Sequence, residues 1–278
     1  MAKAEQKKGN AVIETIKTIV YALLIAGVFR SLFYQPFWIP SGSMKDTLLI
    51  GDFLFVNKMA YGYSYASCPS VIIPRFGINI DAEDICGFLK KDDGGRYWGG
   101  EPERGDVVVF RHPVTGRDFI KRLIGLPGET VQVNDGVVSI NGTPVEVSPD
   151  GTFVEPRIIS RRTGQACANG PVGEGADCIK EKFIETLPGG HTHSILNVRT
   201  QPSDNTPVYT IPEGMYFFMG DNRDNSSDSR VPQQFGGVGY VPYENLVGRA
   251  ERVMFSSAGA SMLFFWTWRG DRFFKRIE

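Results

Sequence analysis

Residues 118–125 read Asp-Phe-Ile-Lys-Arg-Leu-Ile-Gly, and this stretch decides the fold. Its apolar and β-branched residues predict a strand, in which successive side chains point to opposite faces. Phe119, Lys121 and Leu123 therefore share one face, whereas Arg122 points to the other. The strand is therefore predicted to place the Lys121 side chain among apolar neighbours.

Two hairpins are predicted around this strand. Residues 107–110 read Val-Val-Val-Phe and lead through the turn-forming residues 112–116 into the lysine strand. Further on, Asn134-Asp135-Gly136 separates two short apolar runs, which is a strong hairpin signal. Helical periodicity is scarce outside the N-terminal segment. The sequence therefore predicts a mainly β protein built on an antiparallel β-sheet.

Lys121 is a candidate general base. A lysine accepts a proton only when it is neutral, and its free pKa of about 10.4 falls when burial disfavours the charged form. Reaching neutral pH requires a shift of roughly three units, or about 4 kcal/mol. The alternative is an edge-strand lysine whose stem carries the ammonium to water.

A candidate nucleophile lies in residues 40–44, which read Pro-Ser-Gly-Ser-Met. Pro40 favours a turn, and Gly42 allows the backbone to approach a ligand closely. Residues 48–58 predict an alternating strand that would hold this turn on a rigid element. Serine paired with lysine is a known nucleophile–base combination. The alternative is a loop whose serines cap a neighbouring element.

A third segment, residues 220–230, reads Gly-Asp-Asn-Arg-Asp-Asn-Ser-Ser-Asp-Ser-Arg and follows an apolar strand at 215–219. Its turn formers and charges also suit a solvated loop or a calcium loop. The calcium pattern needs glycine at its sixth position and a closing glutamate. Neither is present, so no metal site is expected here.

Together these segments resemble bacterial type I signal peptidases, the Ser/Lys-dyad enzymes of peptidase family S26. The resemblance covers most of residues 12–145 and 207–255, and it does not extend to 61–103 or 146–206. In one departure, Asp46 stands where the family commonly has proline before Thr-Leu. Four blocks agree in order: 40–58, 104–110, 118–129 and 220–230.

The resemblance implies a role for each matching residue. Ser43 would be the nucleophile and Lys121 the general base. The Ser43 backbone N–H and the Ser41 hydroxyl would form the oxyanion hole, and Ser226 would orient the lysine amine. No cofactor or metal is implied. Four further residues would support the site from behind: Asp221 would pair with Arg122, and Asp228 and Arg230 would brace the loop.

The implied activity is that of a membrane-bound serine endopeptidase that cleaves N-terminal signal peptides from exported preproteins. Its substrates would carry small residues at positions −1 and −3, typically Ala-x-Ala, and would add as a strand to a sheet edge. Two alternatives remain open. One is a self-cleaving repressor-type Ser/Lys peptidase without a membrane helix. The other is a catalytically dead, membrane-tethered β-scaffold that binds export partners, which intact Ser43 and Lys121 disfavour.

Composition narrows the class of protein. The 278 residues are 42% hydrophobic, with 30 basic and 31 acidic side chains, enough for a sizeable core. A net charge of −1 argues against nucleic acid as a partner. The mean hydropathy of −0.15 excludes a polytopic membrane protein.

The N-terminus suggests a membrane anchor. Its uncharged run, 18–29, is only 12 residues long, which alone would suit a buried helix or a cleaved signal sequence. Isoleucines extend the run upstream, and aromatic residues at 33–38 resemble an interfacial belt. We predict one transmembrane helix over 12–34, with residues 1–11 cytoplasmic by the positive-inside rule. The catalytic domain would then lie on the outer, periplasmic face of the bacterial cytoplasmic (inner) membrane.

The predicted domains follow from these assignments. Residues 35–145 and 207–255 would form the catalytic β core, with 61–103 as an insertion within it. Residues 146–206 would form an inserted lobe. The tail, 256–278, is aromatic and then basic, so it would either contact lipid at the interface or pack on the sheet edge.

The chain has four cysteines, which allow three pairings. An extracytoplasmic domain permits disulfides. Cys167–Cys178 is the favoured local pair, with Cys68–Cys86 as the other, and free buried cysteines are the alternative. A zinc site is not expected, because no Cys-x-x-Cys spacing occurs.

The histidines suggest two further chemistries, both disfavoured. His191 and His193 have the spacing of a metal pair, but no partner ligands accompany them, and we predict a loop. His112 invites a Ser-His-Asp interpretation. It precedes Pro113 in a turn signal, and the chain has no serine in a nucleophile elbow.

Overall fold

The computed structural model describes residues 2–73, 75, 77–158, 166–259 and 262–278. Within them the α-helices are α1 (Ala2–Leu32) and α2 (Ala82–Cys86). The strands are β1 (Tyr34–Trp38), β2 (Asp52–Asn57), β3 (Val71–Ile73), β4 (Ile78–Ile80), β5 (Val107–Arg111), β6 (Asp118–Gly125), β7 (Thr130–Asn134), β8 (Val137–Ile140), β9 (Thr143–Pro144), β10 (Glu146–Pro156), β11 (Asp177–Thr186), β12 (Thr192–Asn197), β13 (Tyr209–Thr210), β14 (Met215–Met219), β15 (Val241–Pro242) and β16 (Leu246–Ser256).

The largest sheet has seven strands in the order β1-β2-β16-β5-β6-β14-β15, and its pairs are antiparallel. The predicted hairpin β5–β6 is present, with Val108 opposite Lys121. The second predicted hairpin is β7–β8, which belongs to a four-stranded sheet. The prediction of a mainly antiparallel β fold is therefore confirmed.

Both faces of the central strands are covered. Every residue of β5 is buried, and alternate side chains enter two different apolar clusters. Val108 and Phe110 pack with Leu123, whereas Val109 packs in the cluster that contains Met44 and Leu48. Because Met44 and Leu48 are fully buried, the serine turn is fixed to the core of the sheet. Burying each such side chain stabilises the fold by about 2 kcal/mol.

The segment 146–206 contains a sheet of its own. Strands β10, β11 and β12 form a three-stranded antiparallel sheet. We call residues 146–206 the lobe. His193 lies within β12, so the loop predicted at this histidine is wrong. The extended backbone is explained by its pairing with β11, which the short motif did not reveal.

The insertion at 61–103 is held to the core by a buried cation. The Arg96 guanidinium donates to the backbone carbonyls of Tyr61, Gly62 and Tyr243. Only 7% of Arg96 is exposed, and burial lowers its pKa to about 10. One side chain therefore joins the insertion to the segment before β16.

All four cysteines are paired. The structure contains the disulfides Cys68–Cys86 and Cys167–Cys178, and no free cysteine among the described residues. The two predicted pairings are confirmed, and the alternative of free buried cysteines is wrong.

The predicted membrane span at 12–34 falls on α1. No helix among the described residues is both long enough and apolar enough to cross a membrane. The transmembrane part of the prediction is therefore not supported. Glu14, Lys17 and Arg30 leave an uncharged run of only 12 residues, and a span needs about 20.

The tail at 256–278 divides in two. Its basic part packs on the sheet, where Arg272 forms a buried ion pair of 2.6 Å with Asp52 of β2. Its aromatic part is exposed, with 69% of Phe265 and 68% of Trp266 accessible. The sheet-edge alternative is therefore correct for the basic residues.

Candidate active site

Ser43 and Lys121 meet in the folded chain. Lys121 Nζ lies 2.6 Å from Ser43 Oγ and 2.9 Å from the Ile120 carbonyl oxygen. The two side chains come from the turn before β2 and from β6, 78 positions apart in sequence. Only 7% of Ser43 and 4% of Lys121 are exposed, so the alternative of a lysine that reaches water is wrong.

Burial makes Lys121 suitable as a base. Loss of hydration lowers the pKa of Lys121 to about 8, against the opposing charges of Asp228 and Asp221. A substantial fraction of the amine is therefore neutral in mildly alkaline solution. In the neutral state Lys121 has a lone pair available to accept the proton of Ser43 Oγ.

The serine turn is held by Asn222 from the distant segment 220–230. The Asn222 amide nitrogen donates to the Gly42 carbonyl at 2.8 Å, and its backbone N–H donates to the Ser43 carbonyl at 3.1 Å. On the other side, Met44 is buried in the core. Ser43 is therefore fixed from both sides.

Ser41 lies in the wall of a cavity of about 360 Å³ that also contains Ser43 and Lys121. The residue as a whole is half-buried. The cavity is mainly apolar, and its other lining residues are Phe37, Trp38, Ile39, Pro40, Val109, Asp118, Phe119, Ile120, Asn225 and Ser227.

Arg122 joins β6 to the segment 220–230. Its guanidinium makes a two-pronged contact with Asp221, at 2.9 Å and 2.8 Å, in a site that excludes solvent. Thr47 donates to the same carboxylate at 2.6 Å. Burial alone would raise the pKa of Asp221, but the Arg122 charge and these hydrogen bonds lower it. The structure thus contains the Arg122–Asp221 pair that the resemblance implies.

Asp228 and Arg230 form a second buried pair inside the segment 220–230, with contacts of 2.9 Å and 3.0 Å. Asp228 also accepts the Gly220 backbone N–H at 3.0 Å, and Arg230 donates to the Arg223 carbonyl at 2.6 Å. These bonds close the segment on itself and fix the position of the Asp228 charge near Lys121.

Ser226 does not contact Lys121 in the way the resemblance implies. Its hydroxyl is buried without a hydrogen-bond partner of normal geometry among the described residues. It is nevertheless close enough to Asp228 to help lower the pKa of that carboxyl. A Cβ on Gly220 would lie 2.3 Å from Ser226 Oγ and 2.6 Å from the Ser43 carbonyl oxygen, so Ser226 lies close to Ser43. Its orienting role stays a prediction.

Sequence reasoning missed Asn222 and Thr47 as supports of the site. Nothing in the local sequence marks Asn222 among the other polar residues of its segment. Thr47 lies in block 40–58, which carries the resemblance, and this position was the only signal that could have pointed to it. His191 was also missed as a neighbour of Arg122, whose Nη1 lies 3.0 Å from His191 Nε2.

The histidines serve structural roles. His193 contacts Glu185 at 3.3 Å, and the rings of His191 and His193 are 5.8 Å apart. No cluster of ligand-type side chains in the described part of the chain could hold a metal ion. His112 accepts the backbone N–H groups of Val114 and Thr115, and thereby caps a turn.

The chain is similar to proteins of one peptidase family. The family model described as signal peptidase, peptidase S26, matches residues 12–255. Signal peptidase I of Rickettsia typhi is 37% identical over 267 residues, which cover 92% of this chain and 85% of that protein. Signal peptidase I of Rickettsia prowazekii is 39% identical over 250 residues, covering 86% and 79%.

A crystal structure of a signal peptidase I from Enterococcus faecalis is 29% identical and covers 54% of this chain and 97% of that chain. The TM-score of 0.28 is too low to carry an argument about the fold. The family match spans most of the chain, including the serine turn, the lysine strand and the segment 220–230. The chain therefore belongs to the signal peptidase family, peptidase S26.

Proposed function

We propose that this chain is a serine endopeptidase that removes N-terminal signal peptides from preproteins, with Ser43 as nucleophile and Lys121 as general base. The observation that carries the proposal is the buried contact of 2.6 Å between Lys121 Nζ and Ser43 Oγ. It brings a nucleophile and a base of lowered pKa together beside an open, mainly apolar cavity.

The reaction begins with the neutral amine of Lys121. Lys121 Nζ takes the proton of Ser43 Oγ as the oxygen attacks the scissile carbonyl. The Ser43 N–H and the Ser41 hydroxyl donate to the oxyanion, and each such donor typically contributes on the order of 10²–10³ in rate. Protonated Lys121 then gives its proton to the leaving amine. A water molecule, activated by Lys121, hydrolyses the acyl-enzyme and releases Ser43.

The substrate binds as an extended strand beside β6. Strand β14 pairs with β6 only between Arg122 and Gly125. Among the described residues, the edge of 118–121 that faces away from β5 therefore has no strand partner. A signal peptide added along this edge places its side chains in the cavity next to Ser43. We expect the aromatic and β-branched lining of this cavity to accept small residues at −1 and −3.

The proposed substrate is the signal peptide of an exported preprotein, which favours a site close to lipid. The side chains of α1 between residues 19 and 29 expose apolar surface, as do the aromatic residues of the tail. Apolar patches of this extent mark interaction surfaces, and aromatic rings favour the membrane interface. The proposal therefore includes contact with the lipid bilayer at the outer face of the bacterial cytoplasmic membrane.

The experiment that tests the proposal uses the purified full chain with a preprotein that carries Ala-x-Ala before its cleavage site. Mass spectrometry locates the cut, and the Ser43→Ala variant is the matched control. We expect one cut directly after the second alanine in the wild type and none in the variant. No cleavage by the wild type, or equal cleavage by the variant, would refute the proposal.

A further inference from the structure

The residue two positions after the proposed nucleophile is a buried lysine. Only 8% of Lys45 is exposed. Its stem lies against the serine turn: a Cβ added to Gly42 would be 3.1 Å from Lys45 Cε and 3.4 Å from Lys45 Nζ. The ammonium of Lys45 therefore lies over the glycine that separates Ser41 from Ser43.

The partner of Lys45 comes from the lobe. Lys45 Nζ donates to Glu155 Oε2 of β10, and Glu155 Oε1 accepts from Lys180 Nζ of β11 at 2.7 Å. Lys180 is 1% exposed, so one carboxylate joins two buried cations. Burial alone would raise the pKa of Glu155, but the hydrogen bonds from Lys180 and Lys45 lower it. The carboxylate is thus ionised and bridges the lobe to the turn.

A second contact of the same kind lies beside the first. Lys182 of β11 lies between Asp46, at 3.1 Å, and Asp150, at 3.0 Å. Asp46 is the residue that replaces the proline common in the family. Both residues after Ser43-Met44 are therefore held by charged side chains of the lobe.

The lobe also reaches the opposite side of the turn. The Leu196 backbone N–H of β12 donates to the Asp221 carbonyl at 2.9 Å. The next residue, Asn222, holds the carbonyls of Gly42 and Ser43. The lobe thus contacts the serine turn directly through Glu155 and indirectly through Asn222.

We propose that Lys45 is a positioning residue for the proposed peptidase reaction, and that Glu155 and Lys180 of the lobe hold it so that the Ser41-Gly42-Ser43 turn keeps its donors aligned with the oxyanion. The inference rests on the proposed function. It assigns the lobe a part in catalysis that acts on kcat, because the binding edge at 118–121 lies on another strand.

The test compares Glu155→Gln, Lys45→Met and the double variant with the wild-type full chain in preprotein cleavage. Glu155→Gln leaves Lys45 and Lys180 as neighbouring buried cations, so it should be the most impaired. We expect kcat to fall about 10- to 100-fold, as for small misplacements of reacting groups, with KM within about twofold of the wild type. Lys45→Met should lose less, because Glu155 keeps Lys180.

The double variant carries the decisive comparison. Lys45→Met removes one of the two cations left unpaired by Glu155→Gln, so the double variant should recover activity relative to Glu155→Gln alone. The apparent pKa of the pH–rate profile should stay at the wild-type value in all three variants. Glu181 is an exposed glutamate on β11. The Glu181→Gln variant is therefore the matched control and should leave kcat unchanged.

Unchanged kcat in both Glu155→Gln and Lys45→Met would overturn the inference, and so would losses that multiply in the double variant. If Glu155→Gln does not fold, the kinetics of Lys45→Met alone test the inference. The expected result is then a reduced kcat at constant KM. A wild-type protein that cleaves no preprotein would refute the proposed function instead, so the two failures are distinguishable.

Discussion

At the scale of single residues, the proposed reaction depends on the environment of Lys121. Lys121 and Arg122 are adjacent and both buried, yet their environments differ. Arg122 has a carboxylate partner in direct contact, whereas Lys121 has a hydroxyl and a carbonyl. Without a contacting anion, the desolvation cost falls on the charged form of Lys121 and lowers its pKa to about 8.

The first prediction concerns the identity of the base. Lys121→Arg keeps a positive charge in the site but cannot accept a proton, because arginine stays protonated. We expect kcat/KM to fall to the level of Ser43→Ala, and the double variant to be no worse, since the two residues act as one unit. Preprotein cleavage measured at several pH values tests this. Appreciable turnover by Lys121→Arg would mean that Lys121 contributes charge only.

A second prediction separates the two accessory serines. Ser41→Ala removes a donor to the oxyanion, so kcat should drop on the order of 10²–10³ with the same pH dependence. Ser41→Thr retains a hydroxyl and should recover part of the activity. Ser226→Ala should instead shift the apparent pKa of Lys121 and reduce the rate. The pH–rate profiles of the two alanine variants test these assignments. A shifted profile for Ser41→Ala alone would mean that Ser41, and not Ser226, orients Lys121.

At the scale of elements, the site forms where three segments converge: the serine turn, β6 and the segment 220–230. The last of these supplies neither Ser43 nor Lys121, yet it contacts both of the other segments. It binds the turn through Asn222 and β6 through Asp221. Its own shape is kept by the buried Asp228–Arg230 pair. The alignment of Ser43 therefore depends on close packing at the start of this segment.

Gly220 provides the third prediction. An alanine Cβ there would come within 2.6 Å of the Ser43 carbonyl oxygen, a backbone atom that cannot move without displacing Ser43. We expect Gly220→Ala to lower kcat about 100-fold and to destabilise the fold by about 1–3 kcal/mol. The control is Gly173→Ala, whose Cβ would have no atom within 4 Å. Equal activities of the two variants would contradict the packing.

The sequence predicted the local elements better than their mutual contacts. The alternation in 118–125 identified Lys121 as buried among apolar side chains, and the turn residues identified two hairpins. Asn222 could not be found, because its role depends on a hydrogen bond across 180 positions to Gly42. Lys45 was missed for the same reason, since Glu155 lies 110 positions away. The His193 strand was missed because its pairing with β11 is also a tertiary feature.

At the scale of the whole molecule, residues 61–103 and the lobe each contain one disulfide, and each contacts the β-sheet core. The 61–103 insertion is joined to the core by Arg96, and the lobe by Glu155 and Lys182. In the lobe, Cys178 lies opposite Glu155 in the β10–β11 register. The crosslink therefore supports the strand pair that carries the contact to Lys45.

The fourth prediction concerns these crosslinks. Each closes a short loop, with sequence separations of 18 and 11, so each should contribute about 3 kcal/mol by restricting the unfolded chain. Replacing either cysteine pair with serines should lower the free energy of unfolding by about that amount in urea titration. Reductant should lower the wild-type stability further and leave a variant without cysteines unaffected. An unchanged midpoint would show that the bridge does not constrain the chain.

The most direct test of the central claim is the pH dependence of kcat/KM for preprotein cleavage by the wild-type chain. Lys121 acts as a base only after losing its proton, and burial lowers its pKa to about 8. The account therefore predicts that activity is low below this pH, rises through an apparent pKa near 8 and levels off above it. An activity that still climbs with a midpoint near the free-lysine value of about 10.4 would contradict the buried base.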